Sequence, residues 1–222
     1  MRLFVTGTGT GIGKTWLTTG LVRHLTSRGR VVAGLKPIET GCAPEPEDAR
    51  AIALAAGRPE LANYPGFYRA SLPLAPAAAT AEGEAAPPSL AMLAEEIETA
   101  GQGADDLILE GAGGLLVPYD DEHDLIDLPR RLGLPILLVA PDMLGTLSHT
   151  RAAVEVARSR GVRILAIALL QPAPEPDHSA STNAELLFDR TALPVLRFGH
   201  RPQGPTEAEL ESLLRVLERH PD

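Results

Sequence analysis

Two lysines stand out as candidates for charge chemistry, because this chain otherwise uses arginine for its positive charges. Lys and Arg total 20 among the 222 residues, and only Lys14 and Lys36 are lysines. A lysine ammonium is a compact point charge, whereas the arginine guanidinium is a wide planar fork. We therefore expect both lysines to lie where a fork does not fit.

Lys14 belongs to a glycine-rich segment, Gly7-Thr-Gly-Thr-Gly-Ile-Gly-Lys-Thr15. The segment follows a predicted strand at 2–6 and opens a predicted helix at 14–28, the context that a phosphate-binding loop requires. Helix-end amides and the helix dipole favour an anion there, with Lys14 reaching the terminal phosphates and the Thr15 hydroxyl on Mg²⁺. The outer glycine lies one residue earlier than in the strict pattern, so a glycine-rich turn that binds nothing is the alternative.

A second segment, Leu107-Ile-Leu-Glu110-Gly-Ala-Gly-Gly114, joins a predicted buried strand to a glycine-rich turn. Mg²⁺ prefers carboxylate, water and phosphate oxygens, so Glu110 is placed to hold the ion, directly or through water. A solvated acid at a strand end is the alternative. The neighbouring phosphate-type loop favours the metal interpretation.

Lys36 begins a third segment, Lys36-Pro-Ile-Glu-Thr-Gly41, at the end of the second predicted strand. In a parallel sheet this position lies beside the phosphate loop, where a lysine neutralises charge on a transferring phosphoryl group. Thr40 offers a hydroxyl nearby. Asp48, at the start of the next predicted helix, is a candidate second carboxylate for Mg²⁺, although acids there usually cap a helix and face water.

The elements that must position these residues alternate along the chain. Short Val/Ile/Leu runs, typical of strands buried on both faces, alternate with amphipathic stretches, which predicts an α/β fold with a doubly wound, mostly parallel sheet and helices on both faces. We predict strands at 2–6, 31–35, 106–110, 136–140, 163–169 and 194–197. We predict helices at 14–28, 47–56, 89–100, 124–132, 147–160, 180–190 and 206–219.

Ser89 and Thr206 are predicted helix caps, Thr206 in a capping box with Glu209. Loops are predicted at 42–46, 72–88 and 172–178, which are rich in proline. The length and the lack of a boundary predict one domain over residues 1–222.

Composition excludes several classes of function. The net charge of −9 argues against nucleic-acid binding, which needs a basic face. No signal peptide and no apolar run of membrane-spanning length are present, so we expect a cytoplasmic protein without membrane binding. The single Cys42 fits a reducing compartment. Six histidines show no metal-ligand spacing: His24, His123, His149, His178, His200 and His220.

Together these residues resemble the dethiobiotin synthetase family. The resemblance runs through Gly7–Thr15, Lys36–Gly41, Asp48, Glu110–Gly114 and the segment Leu144-Gly-Thr-Leu-Ser-His-Thr150, and so spans most of the chain. It implies a single-domain P-loop NTPase that works as a homodimer. It also implies closure of the ureido ring of dethiobiotin from 7,8-diaminononanoate, CO₂ (or bicarbonate) and ATP, with Mg²⁺.

The resemblance implies a role for individual residues. One substrate amine takes up CO₂ as a carbamate, the carbamate attacks the γ-phosphate of ATP, and the second amine displaces phosphate. The implied catalytic residues are Lys14, Lys36 and Thr10, and the implied metal ligands are Thr15, Asp48 and Glu110. The implied ATP-binding residues are Gly11, Ile12, Gly13, Lys14, Thr15, Trp16, Asp48, Glu110, Gly111, Ala112, Gly113, Gln171, Gly199, His200 and Arg201.

The substrate contacts implied by the resemblance are Thr40, Gly145, Thr146 and Ser148. Helix-start amides suit a carboxylate, and in the family the segment around Gly145 belongs to the partner subunit. This chain departs from the family pattern at several positions. Gly9 stands where many members have Asp, Ala77 where many have His, and Ser148 where Asn is frequent.

Three other readings compete with this one. A ParA/MinD-type dimeric ATPase switch shares the fold, but it carries a signature lysine early in the loop, where this chain has Gly9. A cobyrinate-type amide ligase carries a glutaminase domain with a nucleophilic cysteine, for which this chain has neither room nor a suitable residue. A non-catalytic nucleotide-binding scaffold leaves Lys36 and Glu110 unexplained.

Overall fold

The computed structural model describes residues 1–219. The strands in this range are β1 (Arg2–Gly7), β2 (Val32–Leu35), β3 (Ile38–Thr40), β4 (Tyr68–Ala70), β5 (Asp106–Gly114), β6 (Ile136–Pro141), β7 (Ile164–Leu170) and β8 (Val195–Phe198). The α-helices are α1 (Lys14–Ser27), α2 (Glu47–Ala55), α3 (Pro76–Ala81), α4 (Leu90–Ala100), α5 (Asp127–Leu132), α6 (Thr146–Ser159), α7 (Ala180–Thr191) and α8 (Glu207–Leu217), with a short 3₁₀ helix at Pro59–Asn63.

The main sheet of the described chain has six parallel strands in the order β2-β5-β1-β6-β7-β8. β1 therefore lies between β5 and β6, and the loop that follows β1 emerges near the middle of the sheet's carboxyl edge. Ligands of doubly wound folds bind at this edge. The prediction of a doubly wound α/β fold is confirmed.

The core lies on both faces of the sheet because successive strand side chains point to opposite sides. Leu3 and Val5 of β1 pack in one apolar cluster with Leu17 of α1. Phe4, between them, packs in the other cluster with Leu93 of α4. Helices thus cover both faces, which accounts for strands that read as continuous apolar runs.

The sequence pattern does not predict four short elements: β3, β4, α3 and the 3₁₀ helix. β3 and β4 form a separate two-stranded parallel sheet, in which Ile38 pairs with Tyr68. Each strand has three residues, too few for a period to be recognised. α3 lies inside the stretch 72–88 that we predicted as a loop. Pro76 occupies its first position, where proline is well tolerated, and alanines follow it.

Two predicted boundaries differ from the structure. The strand predicted to end at Glu110 continues to Gly114, because its glycine-rich end still pairs with β1 through Gly7 and Gly114. Glu110 is therefore inside a strand and fully buried, and not at a solvated strand end. α5 begins at Asp127, three residues later than predicted.

The two predicted helix caps are confirmed. The Ser89 side chain accepts a hydrogen bond from the Met92 amide at the start of α4. The Thr206 side chain accepts from the Glu209 amide while the Glu209 carboxylate accepts from the Thr206 amide, which completes the capping box of α8. α8 itself is shorter than predicted and ends at Leu217.

Candidate active site

The glycine-rich loop connects β1 to α1, and Gly13 fixes its geometry. Gly13 has a φ of 94°, in the left-handed region, and a Cβ there would lie 2.7 Å from the Leu170 Cδ2 atom. Both conformation and space therefore exclude a side chain at this position. α1 has no acidic residue in its first turn and no side-chain cap. Its amino-terminal amides are suited to an anion.

Lys14 extends back across this loop. Its Nζ atom donates a hydrogen bond to the Gly9 carbonyl oxygen over 2.7 Å. Burial lowers the pKa of Lys14 to about 8, while the nearby charge of Glu110 opposes that shift. A phosphate group in the loop would favour the charged form of the lysine.

Lys36 links two carboxylates next to the loop. Its Nζ donates to the Asp48 Oδ2 atom at 2.5 Å and to the Glu110 Oε1 atom at 2.7 Å. The Thr15 hydroxyl also donates to Glu110 Oε1, over 2.8 Å. Residues from α1, the end of β2, α2 and β5 thus converge on one charged cluster, as the three sequence segments predicted.

The electrostatics of Lys36 differ from those of Lys14. Burial alone would lower the pKa of Lys36, but the charges and hydrogen bonds of Glu110 and Asp48 outweigh it and raise the pKa. Lys36 is only 5% exposed. It therefore remains a cation in a confined space, which suits an ammonium and leaves little room for a guanidinium.

The oxygen atoms around Glu110 fit a hard divalent cation. Glu110 Oε2 is buried and has no hydrogen-bond partner, which is costly unless a ligand or water completes its coordination. The Thr15 hydroxyl is adjacent, and the Asp48 side chain is 43% exposed and therefore accessible. Mg²⁺ takes such oxygens together with phosphate oxygens. Within residues 1–219 no cluster of three or more His, Cys, Asp or Glu side chains forms a protein-only metal site.

A cavity of about 360 Å³ opens above this cluster. Its lining contains most of the residues predicted for phosphate and metal, and one of those predicted for the substrate. These are Thr10, Gly11, Gly13, Lys14, Thr15, Trp16, Lys36, Thr40, Asp48, Ala112 and Gly113. Glu110 and Gly111 are not in the lining: Glu110 is fully buried, and a Cβ at Gly111 would meet the Phe4 ring at 2.7 Å.

Glu39 also lines this cavity, and it is not among the site residues predicted from the sequence. Its two carboxylate oxygens accept hydrogen bonds from the amides of Asp48 and Ala49, at 3.0 and 2.8 Å. α2 has Pro46 at its N-cap and no side-chain cap of its own, so Glu39 supplies the cap from another element. The sequence carries no signal for this role, because it depends on α2 amides that only the folded chain brings near Glu39.

A second cavity, of about 370 Å³, is lined by several of the residues that the resemblance implied for ATP binding. It shares Gly11, Gly13 and Trp16 with the first cavity, so the two form one continuous groove. Other predicted residues in its lining are Ile12, Gln171, Gly199, His200 and Arg201. The sequence did not identify Pro141, Met143, Leu170, Pro172 and Pro202, which add apolar walls.

Gln171 follows β7 directly. Its side-chain Nε2 donates to the carbonyl oxygens of Ala173 and Pro174, at 2.7 and 2.8 Å. Those bonds use both amide hydrogens, so its side-chain oxygen is the remaining polar atom available to a ligand.

The predicted substrate residues near the start of α6 lie apart from both cavities of this chain. Gly145 is the N-cap of α6 in a left-handed conformation, and Thr146 is buried with its hydroxyl 3.3 Å from that of Thr150. Ser148 is exposed. Of the predicted contacts for the substrate, Thr40 alone lines either of these two cavities.

A parallel sheet with a phosphate-type loop between its first strand and first helix, and a two-part groove at its carboxyl edge, defines a P-loop nucleotide-binding protein. Comparison with known proteins specifies the class further. A family model described as an AAA domain matches residues 1–206. An ATP-dependent dethiobiotin synthetase, BioD, from Anaeromyxobacter dehalogenans (strain 2CP-C) is 42% identical over 183 residues, 82% of each chain. The BioD of Aquifex aeolicus (strain VF5) is 36% identical, over 87% of this chain and 86% of its own.

The chain belongs to the ATP-dependent dethiobiotin synthetase family. Among solved structures, the fold is similar to the MinC:MinD cell division complex of Aquifex aeolicus (TM-score 0.60, 12% identity, 100% of this chain and 97% of that one). It is also similar to the cell division ATPase MinD of Pyrococcus furiosus (TM-score 0.57, 16% identity, 98% of each chain). At such low identity this likeness concerns the fold alone. No helix in residues 1–219 is long and apolar enough to cross a membrane.

Proposed function

We propose that this protein closes the ureido ring of dethiobiotin from 7,8-diaminononanoate, CO₂ and ATP, releasing ADP and phosphate. The observation that carries the proposal is the position of Lys36. A second buried ammonium faces the cavity beside the phosphate loop, bonded to both Asp48 and Glu110. A nucleotide-binding scaffold needs no such group, whereas a reaction that passes through two anions, a carbamate and a phosphoryl group, does.

The two cavities fit the two ends of a nucleotide. In the proposed arrangement, the loop amides and Lys14 hold the phosphates, and the cavity around Gln171 and Arg201 receives the base. Helix-end amides and a lysine are the usual partners of phosphate. Trp16, which lines both cavities, would lie beside the part of the nucleotide that connects base and phosphates.

The proposed reaction begins when one amine of the substrate adds to CO₂ and loses a proton, giving a carbamate. A carbamate oxygen then attacks the γ-phosphorus of ATP, and the bond to the β-phosphate oxygen breaks to release ADP. The second amine attacks the carbonyl carbon of the resulting anhydride and loses a proton, phosphate leaves, and the ring closes. Lys36 and Lys14 stabilise the anions, and Thr10 and Thr40 orient the reacting groups at the cavity wall.

Thr15, Asp48 and Glu110 are the residues proposed to hold Mg²⁺, supported by the unpartnered Oε2 atom of Glu110. When bound, Mg²⁺ neutralises charge on the phosphate oxygens and makes phosphoryl transfer easier. In the structure the Lys36 ammonium lies between the same two carboxylates. We expect Lys36 to turn toward the substrate when these carboxylates acquire another cation.

We propose a homodimer, in which Gly145, Thr146 and Ser148 contact the substrate of the other subunit. None of the three lines either of the two cavities described above. Leu144, directly before them, is 79% exposed, and such an apolar side chain is suited to coverage by a partner. The amino-terminal end of α6 would receive the substrate carboxylate.

One experiment tests the reaction. Purified protein is given MgATP, ¹³C-bicarbonate and 7,8-diaminononanoate, and each is omitted in turn while phosphate release and the mass of the product are followed. We expect phosphate release to need all three, and the label to appear in a cyclic urea. Phosphate release that is unchanged without the diamine would overturn the proposal and favour the ATPase-switch alternative.

A further inference from the structure

Glu209 on α8 connects the carboxy-terminal helix to the cavity assigned to the nucleotide base. Its Oε1 atom accepts from the Gly199 amide at 2.9 Å and from Arg201 Nη1 at 2.9 Å. Its Oε2 atom accepts from the Thr206 amide and hydroxyl, both at 2.7 Å, and from Arg201 Nη1 at 3.0 Å. One carboxylate thus holds both ends of the segment 199–206.

Capping α8 accounts for only part of this arrangement. A capping box requires the exchange between Thr206 and Glu209 and nothing more. The bonds to Gly199 and Arg201 are additional, and both of those residues line the base cavity. The Arg201 guanidinium lies against Gly199, where a Cβ would come within 3.0 Å of Nη1.

The segment held by Glu209 in turn holds Trp16. The indole Nε1 donates to the Arg201 carbonyl oxygen over 2.6 Å, and the ring meets Phe198 edge to face with centroids 6.4 Å apart. Trp16 stands where the two cavities join. A shift of Arg201 would therefore move the wall shared by the base and phosphate sites.

We infer that Glu209 is a positioning residue for nucleotide binding, which fixes the Gly199–Arg201 wall and, through it, the Trp16 side chain. The inference rests on the proposed function, because it assumes that this groove binds a nucleotide. Burial alone would raise the pKa of Glu209, but the bonds from Gly199, Thr206 and Arg201 outweigh it and lower the pKa. The carboxylate therefore stays charged throughout the neutral range.

Substitution of Glu209 with alanine tests the inference, with Thr206→Ala as the matched control. Thr206→Ala weakens the same helix cap but leaves the bonds of Glu209 to Gly199 and Arg201. A third variant, Glu209→Asp, keeps an acid in the first turn of α8 but shortens the arm by one methylene. It provides a folded protein if the alanine variant is too unstable to purify.

Binding of a non-hydrolysable ATP analogue with Mg²⁺ is followed by the fluorescence of Trp16, the single tryptophan of the chain. For Glu209→Ala and Glu209→Asp we expect Kd to rise on the order of tenfold, the effect of losing one charge-assisted hydrogen bond. We also expect greater acrylamide quenching of Trp16 and a raised KM for ATP with kcat nearly unchanged. Thr206→Ala should lower Tm by about 2–4 °C and leave Kd and quenching at the wild-type values.

Wild-type Kd and quenching in both Glu209 variants would overturn the inference, as would equal changes in Thr206→Ala. Failure of the proposed function is a separate result. In that case the wild type binds the analogue but forms no cyclic urea from the diamine, and the contribution of Glu209 to Kd is still measured.

Discussion

Lys36 and Lys14 face the same cavity with different partners. Lys36 is bonded to two carboxylates and Lys14 to a backbone carbonyl oxygen. The scarcity of lysine in this chain made both residues recognisable, and their segments predicted where each would lie. Glu39 and Glu209 could not be identified in the same way, because their roles depend on amides from other parts of the chain that only the folded structure brings near.

We expect Lys36→Arg to keep the fold and lower turnover by about 100-fold, the usual cost of removing one well-placed charged donor. The confined space leaves little room for the planar guanidinium, so its charge lies away from the position of the Lys36 ammonium. The measurement is formation of the cyclic urea at saturating substrates, with circular dichroism to verify folding. Arg50→Lys, in an exposed pair with Glu45, is the control and should retain full turnover. Near-wild-type turnover in Lys36→Arg would contradict the role assigned to this lysine.

The elements that carry the site were predicted to different degrees. The long strands of the main sheet and the helices around them follow from hydrophobic runs and caps. β3, β4 and α3 do not, because short strands and a proline-rich turn give no periodic signal. The extension of β5 beyond Glu110 was also missed, because glycine is depleted in strands and weakens their interior.

α2 depends on Glu39 for its amino-terminal cap. Removing a cap costs about 0.5–2 kcal/mol, so we expect Glu39→Ala to destabilise the protein by that amount. Because α2 carries Asp48, the same change should raise the Mg²⁺ concentration needed to bind the ATP analogue. Urea unfolding and a Mg²⁺ titration of Trp16 fluorescence measure the two effects. Ser89→Ala removes the cap of α4, which lines neither cavity, and should change stability alone. An unchanged Mg²⁺ requirement in Glu39→Ala would mean that Glu39 does not affect metal binding.

The stabilisation that Glu209 gives to the start of α8 should depend on pH. Its pKa in the folded protein is lowered from the ordinary 4.5, so its stabilising effect is complete above 4.5 and is lost as the pH falls through the folded value. The stability difference between wild type and Glu209→Ala should therefore be constant between about pH 5 and 8 and shrink below about pH 4.5. Urea unfolding across this range measures it. A difference that grows on acidification would mean that the folded pKa is raised.

At the scale of the whole molecule, the sequence pattern predicts the doubly wound topology of the sheet but not the assembly of two subunits. Alternating strands and helices allow few arrangements other than a doubly wound sheet. The fold is shared with MinD proteins that differ strongly in sequence, so fold alone does not separate a synthetase from an ATPase switch. The prediction that residues 1–222 form one domain stays a prediction.

The proposed dimer can be tested by complementation. Lys36→Met disables a chain's own cavity, and Ser148→Trp blocks the contact it would offer to its partner. In a mixed dimer one site carries both changes and the other carries neither, so we expect about half of wild-type turnover. Co-expression with two different tags isolates the mixed dimer, and the two uniform dimers are the controls. A mixed dimer that is as inactive as the controls would contradict a site completed by the partner.

The position of β1 between β5 and β6 has a consequence for how the chain folds. β1 and β2 are made first, but they are not neighbours, because β5 lies between them. No two adjacent strands of the main sheet therefore exist until residues 106–114 have been synthesised. At ribosomal speeds, synthesis from the end of β1 to the end of β5 takes roughly 5–20 s. The phosphate loop is therefore synthesised early, but β1, which carries it, has no partner strand until β5 pairs with it.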